Sequence, residues 1–591
     1  MSDAADAREN PSAGGSSAQT PGKPSRLESL RAIFDSRANL AMFALGAASG
    51  LPFSTLAGTL YAWFTAENVD VSTIGILSWA GLAVGFKFLW SPLLSRSSAP
   101  LFARLGRRRG WIVFFQILVA MSMFAIALMD PGSQLPLIAL LSVLGSFSYA
   151  TMDIAIDAWR IEIAKNSGHL DLLSTLYQMG FRLAALIGGL GALIFAEHFG
   201  WNLTYLIIAG FMAATILGTL YAEESPLSVQ AKASGPPQVT LGASLPQGLR
   251  ALILAPVLIG WAWAAISLFG FMARALLAET APNARLFTLT TGPWIVAVCV
   301  IAPALAGALI LTLEKRDLSR LPAWMRAPKA PASAFVDTMY TVLLEPMIDL
   351  VKRLRYAAIL ILILILFYRY ADAVWGAFAY PFYLGQDASI GALGHTQTEV
   401  AIASKFFGVL MTIAGLALGA AAMLRFGRMP CLVLGAVLAA ATNLLFADLA
   451  AGGAYTNAFL SFAQLDHVFA AFGFDLRMAR LMTAIAGENL ALGFASAVYV
   501  AYLSSIVNPK YSAVQYALLA ALSLLLGALG RGALGEMIEE YGFAYMFVLT
   551  ALIGGIAVIA SIAEYIRLKV TGRLATGAPY LDAPREAEAK A

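Results

Sequence analysis

Residues 135–158 read LPLIALLSVLGSFSYATMDIAIDA. A continuous apolar run of this length suffices to cross a bilayer, which takes about 20 helical residues. The run also carries two carboxylates, Asp153 and Asp157, four apart and therefore on one face of a helix. An acid inside hydrocarbon is costly and marks a functional site by default. Outward from this stretch the pattern repeats. Fourteen apolar runs are read, at 39–62, 73–94, 111–129, 135–158, 172–196, 200–221, 251–277, 287–313, 355–383, 396–423, 429–449, 476–505, 511–535 and 543–566. They are continuous rather than alternating, so they predict helices and not barrel strands. Composition agrees: of 591 residues 59% are hydrophobic and 13% charged, where soluble domains carry about 25% charged residues. An all-α polytopic membrane protein of about 14 transmembrane helices is expected. Two cysteines, Cys299 and Cys431, and four histidines leave no disulfide framework and no metal cluster to build. No metal and no cofactor is expected.

The runs group as six, two and six. Residues 1–37 are polar, contain no short apolar segment of the signal-peptide kind, and read as a disordered tail. The first six-helix half spans 38–221, followed by a Ser/Pro/Gln/Gly linker at 222–249. Two extra helices fill 250–313; their only internal charge is Arg274, and they are expected to be peripheral. A basic linker follows at 314–354, and its end has apolar residues at helical spacing, as in an amphipathic helix lying along the membrane surface. The second six-helix half covers 355–567 and a tail 568–591. The outer loop at 450–475 holds five phenylalanines and is read as a short cap. Lys and Arg crowd the loops at 95–110 and 314–354 and the C-terminal tail, while the loops at 63–72, 130–134 and 384–395 have none. Both termini are therefore expected in the cytoplasm. Two six-helix halves related by a parallel repeat describe the major facilitator fold. A trace of the repeat stands in Gly106-Arg107-Arg108-Arg109 and Arg425-Phe426-Gly427-Arg428.

Eight ionisable residues lie well inside the runs: Lys87, Arg182, Arg369 and Lys405, and Asp153, Asp157, Asp372 and Glu488. Their formal charges cancel, as expected if they line one cavity between the halves. Asp153 and Asp157 do not both ionise easily so close together. That suits a proton carrier; the alternative is an inner gate in which both acids pair with Arg182 or Lys87. Arg369 and Asp372, three apart, either serve the cavity or satisfy each other. Lys405 has no acid three or four residues away on its helix, and Glu488 is followed by Asn489 in an apolar run, so these are cavity candidates. Lys87 is about two turns from a helix end, where snorkelling is an alternative to function.

At these residues the sequence resembles the AmpG-like muropeptide permeases of the major facilitator superfamily. The resemblance rests on Gly50-Leu51-Pro52, Thr73-Ile74-Gly75, Lys87 to Leu93 and Gly106 to Trp111. It continues through Asp153-Ile154, Asp157-Ala158-Trp159, Arg182-Leu183, Tyr368 to Asp372, Lys405, Glu488-Asn489-Leu490 and Gln515 to Leu519. It covers both halves but not the N-terminal tail, the extra helix pair or the long outer loop. It implies proton-driven import of N-acetylglucosaminyl-anhydromuramyl peptides across the inner membrane of a Gram-negative bacterium, for peptidoglycan recycling and the induction of β-lactamase. It implies proton coupling or gating at Asp153, Asp157, Arg182 and Lys87. It implies a substrate cavity at Arg369, Asp372, Lys405, Glu488, Asn489 and Gln515. Arginine and lysine suit the carboxylates of a muropeptide stem, and Trp63, Trp90 and Tyr177 are read as sugar-stacking or packing aromatics. Two positions depart from the family: Ser95 stands where an acid is usual, and Met152 where Gln is common.

The expected partners are the muropeptide, protons and the bilayer, with no nucleic acid, for a chain acting as a monomer. Two alternatives differ in class. One is transport of another anionic cargo, such as acetyl-CoA or a siderophore. The other is an intramembrane enzyme of the prenyltransferase type, which Asp153-x-x-x-Asp157 matches in half of its acidic motif. That enzyme needs a second acidic cluster to hold Mg²⁺, and well inside the runs of the second half stand single acids, Asp372 and Glu488, far apart in sequence.

Overall fold

Ten helices are long and apolar enough to cross a bilayer among the residues that the computed structural model describes: 36–66, 83–227, 229, 239–277, 284–316, 332–370 and 378–572. These residues contain no strand. In the first half, α1 (Arg37–Ser54) continues through a π-helical turn at Thr55–Thr59 into Leu60–Ala66. The second run is described from residue 83 and ends in α2 (Ser91–Arg96). Then come α3 (Arg107–Ala127), α4 (Pro131–Ile163), α5 (Ser167–Phe199) and α6 (Trp201–Tyr221). The inserted pair is α7 (Gln247–Leu277) and α8 (Gly292–Leu313), and the linker helix α9 runs from Ala332 to Leu354. The second half has α10 (Ala357–Tyr368), α11 (Thr398–Phe426) and α12 (Arg428–Ala450). A short hairpin, α13 (Ala454–Phe462) and α14 (Leu465–Ala471), precedes α15 (Leu476–Ser505) and α16 (Ser512–Val570), which kinks at Gly542.

The repeat is visible in backbone geometry. Gly106 opens α3 with φ 101° and ψ 174°, and Gly200 opens α6 with φ 83° and ψ 159°. In the second half, Gly427 opens α12 with φ 82° and ψ 165°, and Gly542 takes φ 80° and ψ 172° before the last span. This conformation is essentially confined to glycine. The third and sixth spans of each half thus start from the same local bend.

Small residues bring helices into backbone contact, as expected where lipid offers no hydrophobic drive for helix association. A methyl group on Gly46 of α1 would sit 2.1 Å from the Tyr177 carbonyl oxygen of α5, and one on Gly180 of α5 2.1 Å from that of Phe43. The halves meet where α5 packs on α11 and α15, and where α4 packs on α16.

The extra pair does not stand apart from the bundle. Trp261 of α7 meets Phe88 edge-on at 6.4 Å, Phe269 lies 6.1 Å from Trp90, and Phe287 lies 6.2 Å from Phe86. All three contacts flank Lys87. The linker helix also differs from expectation. Its apolar face is covered by protein instead of membrane: Tyr340, Leu344 and Ile348 are buried, and Gly307 of α8 lies against the Ile348 backbone. Glu345, fully buried, accepts hydrogen bonds from Thr240 N at 2.5 Å, Leu241 N at 3.1 Å and Tyr511 Oη at 3.0 Å. An amphipathic pattern selects an apolar partner surface, but not which one.

Candidate functional site

Helical hydrogen bonding breaks at Lys87. Residues Lys87–Leu89 form a 3₁₀ turn between Phe86 (φ −107°, ψ 14°) and Trp90 (φ −108°, ψ 0°), and Pro92 restarts the helix as α2. This turn directs the buried Lys87 ammonium at α4. Lys87 Nζ pairs with Asp153 Oδ2 and lies 3.3 Å from Asp157 Oδ2. Asp153 Oδ1 accepts further bonds from Tyr177 Oη at 2.5 Å and Ser49 Oγ at 3.1 Å. Asp157 Oδ1 lies 3.0 Å from Arg160 Nη2. Two acids and two bases thus form one buried, formally neutral centre, with every charge paired as burial demands.

Arg160 joins this centre to the other half. Its guanidinium lies 5.0 Å from the Tyr177 ring and 5.1 Å from the Tyr516 ring of α16, and Nη2 reaches Ser504 Oγ of α15 at 3.4 Å. Two further junctions lie at the same end of the bundle, the one that carries the basic loop. Arg108 holds Glu162 at 2.6 Å, and Ser512 of α16 donates to the same carboxylate oxygen at 2.8 Å. Arg428, at the start of α12, holds Asp171 of α5 at 2.6 Å. At the departure from the family pattern, Ser95 donates to its own turn at Pro92 O. The carboxylate beside the basic loop is Glu224, which accepts from Arg108 N and Arg109 N at 3.1 Å each. It satisfies free amides at the α3 N-terminus, where negative charge is favoured.

The second-half candidates lie elsewhere. Arg369, half-buried at the end of α10, donates to Ser496 Oγ at 2.9 Å. Glu488 accepts from Asn489 Nδ2 at 2.7 Å, and Asn489 Oδ1 accepts from Thr412 Oγ1 at 2.8 Å. Lys405 is exposed and sits in a π-helical segment, Ala401–Phe407, a geometry often found at functional sites. Arg182 is half-buried on α5. Asp372 lies outside the described residues.

Gln515, expected in the substrate cavity, stands apart from these. It is fully buried, donates to Pro346 O at 2.7 Å and Asp349 Oδ2 at 2.9 Å, and accepts from Asn508 N at 2.8 Å. Its amide binds α9 to the start of α16. Trp63 and Trp90 are core residues: Trp63 lies 5.1 Å from Tyr205, and Trp90 donates to Thr151 Oγ1 at 3.0 Å. Tyr177 belongs to the charge centre. Sequence reasoning passed over Arg108, Arg160, Glu162, Asp171 and Arg428, because charges near the ends of apolar runs look interfacial. The available signals were the spacing Asp157-x-x-Arg160 and the glycine–arginine stretches at Gly106 and Gly427.

The sequence profile of the Major Facilitator Superfamily matches residues 38–327. The anhydromuropeptide permease of Escherichia coli K12 is 27% identical over 537 residues, covering 89% of this chain and 80% of the relative. Putative transporter AmpG 4 of Rickettsia felis is 24% identical over 514 residues, covering 87% of this chain and 92% of the relative. Among solved structures, the proton:xylose symporter XylE bound to 6-bromo-6-deoxy-D-glucose superposes with a TM-score of 0.50 at 12% identity, covering 90% of this chain and 95% of that one. The fold is a transporter's and not an enzyme's. This chain is a multi-pass membrane protein with the major facilitator fold, its first half matched by the Major Facilitator Superfamily profile and most of its length similar to AmpG-like permeases.

Proposed function

We propose that this protein imports anhydromuropeptides from periplasm to cytoplasm in symport with protons, in the inner membrane, as a monomer with both termini cytoplasmic. The cargo follows the relatives that align over most of the chain. The observation that carries the coupling is the buried centre of Lys87, Asp153, Asp157 and Arg160, whose arginine touches Ser504 and Tyr516 across the interface between halves. A proton on Asp157 removes the charge that holds Arg160, and so loosens one of the three junctions at the basic end. The basic end is the cytoplasmic one by its Lys and Arg content. The junctions there favour a conformation closed toward the cytoplasm. Proton and cargo entering from outside then unlock the inner gate together, and release inside resets the pairing. Arg369, Lys405, Glu488 and Asn489 are assigned to the cargo, with the bases meeting its carboxylates, and Arg182 to coupling or gating. Asp372 is assigned to the cargo as well, and Gln515 to support of the gate.

The test is uptake of radiolabelled N-acetylglucosaminyl-anhydromuramyl peptide into proteoliposomes, with and without an imposed proton gradient. Accumulation that depends on the gradient is the expected result. Accumulation indifferent to the gradient would remove the coupling. No uptake by folded protein would remove the muropeptide and leave another anionic cargo.

A further inference from the structure

A crevice of about 1300 Å³ lies in the side of the second half, away from the charge centre. Its walls come from α11, α12, α15 and the last span of α16, and the hairpin α13–α14 roofs it. Phe407, Leu445, Phe459, Phe469, Leu490 and Tyr545 set its character. Leu444, Tyr545 and Val548 in the wall are 49%, 48% and 41% exposed, so the crevice opens through the flank of the bundle. Its walls include helices long and apolar enough to span a membrane, so the opening on their flank faces the side of the bundle that lipid would cover.

The chemistry of the wall selects the occupant. Its one charged residue, Asp448, is already committed to the hairpin. It accepts from Tyr455 N at 3.1 Å, and from Thr456 N and Oγ1 at 2.7 and 2.6 Å. Thr483 donates to its own helix at Ala479 O. Ordered water needs two to four polar partners, and apart from Thr456 and the tyrosines Tyr455, Tyr541 and Tyr545 the rest of the wall is apolar. A charged ligand finds no counter-charge. The volume exceeds the roughly 300–1,000 Å³ of ordinary small-molecule pockets, which leaves room for long hydrocarbon chains. Transfer from lipid to protein brings no hydrophobic gain, so the favourable term is dispersion across a gap that would otherwise lack contacts. We infer that this crevice is a binding site for the acyl chains of a membrane phospholipid, held beneath the α13–α14 hairpin.

The site also has a place in the transporter. Phe407 is two residues from Lys405, Gly487 precedes Glu488, and Leu490 follows Asn489. A seated chain therefore packs behind the segments that carry the cavity candidates. The hairpin's outer surface suits the bilayer interface, since Phe462 and Phe472 are 88% and 76% exposed.

The experiment reads lipid and not transport. A nitroxide is attached at Phe459→Cys, with protein in phosphatidylethanolamine–phosphatidylglycerol vesicles; both native cysteines are buried. The expected signal is collision with dissolved oxygen several-fold above that with a water-soluble nickel chelate. Equal or greater exposure to the chelate overturns the proposal, as does a label closed to both. In parallel, native mass spectrometry of the protein from mild detergent should show retained phospholipid of either headgroup, lost when Ala486→Trp fills the crevice. Equal retention by a folded Ala486→Trp protein also overturns it.

Discussion

Asp157 holds the position at which one proton changes the most contacts. It shares Lys87 with Asp153 and is the partner of Arg160, and Arg160 spans the interface between halves. Asp157→Asn should therefore abolish gradient-driven accumulation while leaving exchange of labelled for unlabelled cargo measurable. Full accumulation by this variant would place coupling elsewhere. Lys87→Met is a different lesion, because it leaves two buried carboxylates without their shared cation. Removing one partner of a buried pair costs about 3–5 kcal/mol. A large drop in thermal midpoint in detergent is expected, with partial recovery in Lys87→Met/Asp153→Asn. An unchanged midpoint would mean that the pair is hydrated. The members of this centre differed in how far sequence exposes them. Lys87, Asp153 and Asp157 interrupt apolar runs and stand out against them. Arg160 and Glu162 lie past the point where the run 135–158 gives way to charge, and a residue there reads as facing the headgroups. Only tertiary packing, with Tyr516 and Ser512 arriving from more than 340 positions away, shows them enclosed.

At the scale of elements, run lengths made the helices legible, since lipid imposes both length and backbone pairing. What covers an apolar stripe was not legible. The face of α9 with Tyr340, Leu344 and Ile348 would suit a membrane surface equally well; here it packs on α8, and Glu345 ties it to the linker at Thr240 and Leu241. Through Gln515 and Asp349 the same helix holds the turn that starts α16. Helix α9 is thus a strut between the inserted pair and the second half. Glu345→Gln keeps the shape but removes the charge from a side chain that accepts four hydrogen bonds. Hydrogen bonds to charged groups contribute about 1.5–3 kcal/mol. Amide exchange in 332–354 should accelerate by one to two orders of magnitude by that estimate, with α12 unaffected. Unchanged exchange in α9 would show that packing alone secures it. The inserted pair is engaged as well, through Trp261, Phe269 and Phe287 beside Lys87. Its removal should cost stability, which argues against treating it as detachable.

Across the whole molecule the two halves are built on one plan, with the bends at Gly106, Gly200, Gly427 and Gly542 in matching places. The plan sets the gate. Arg108 and Arg428 follow equivalent glycines, so each half presents an arginine at the basic end. One meets Glu162 and Ser512, and the other meets Asp171 of the opposite half. Only the glycine–arginine pairs of this arrangement were visible in sequence, since their acids lie far along the chain. The Arg428–Asp171 pair joins α12 to α5 directly, so it should report the conformational equilibrium without touching cargo or proton sites. Arg428→Asp alone sets two acids against each other and should open the basic end. Protease or thiol-reagent access there should rise, and net uptake fall. Asp171→Arg alone should do the same with two bases. The double exchange restores an attractive pair and should recover much of the uptake. Contacting residues in one network couple by about 0.5–3 kcal/mol, and 1–3 kcal/mol corresponds to about five- to 150-fold in an equilibrium. A double exchange as impaired as the sum of its parts would mean that this pair is a surface contact, with the gate resting on Arg108, Glu162 and Arg160 alone.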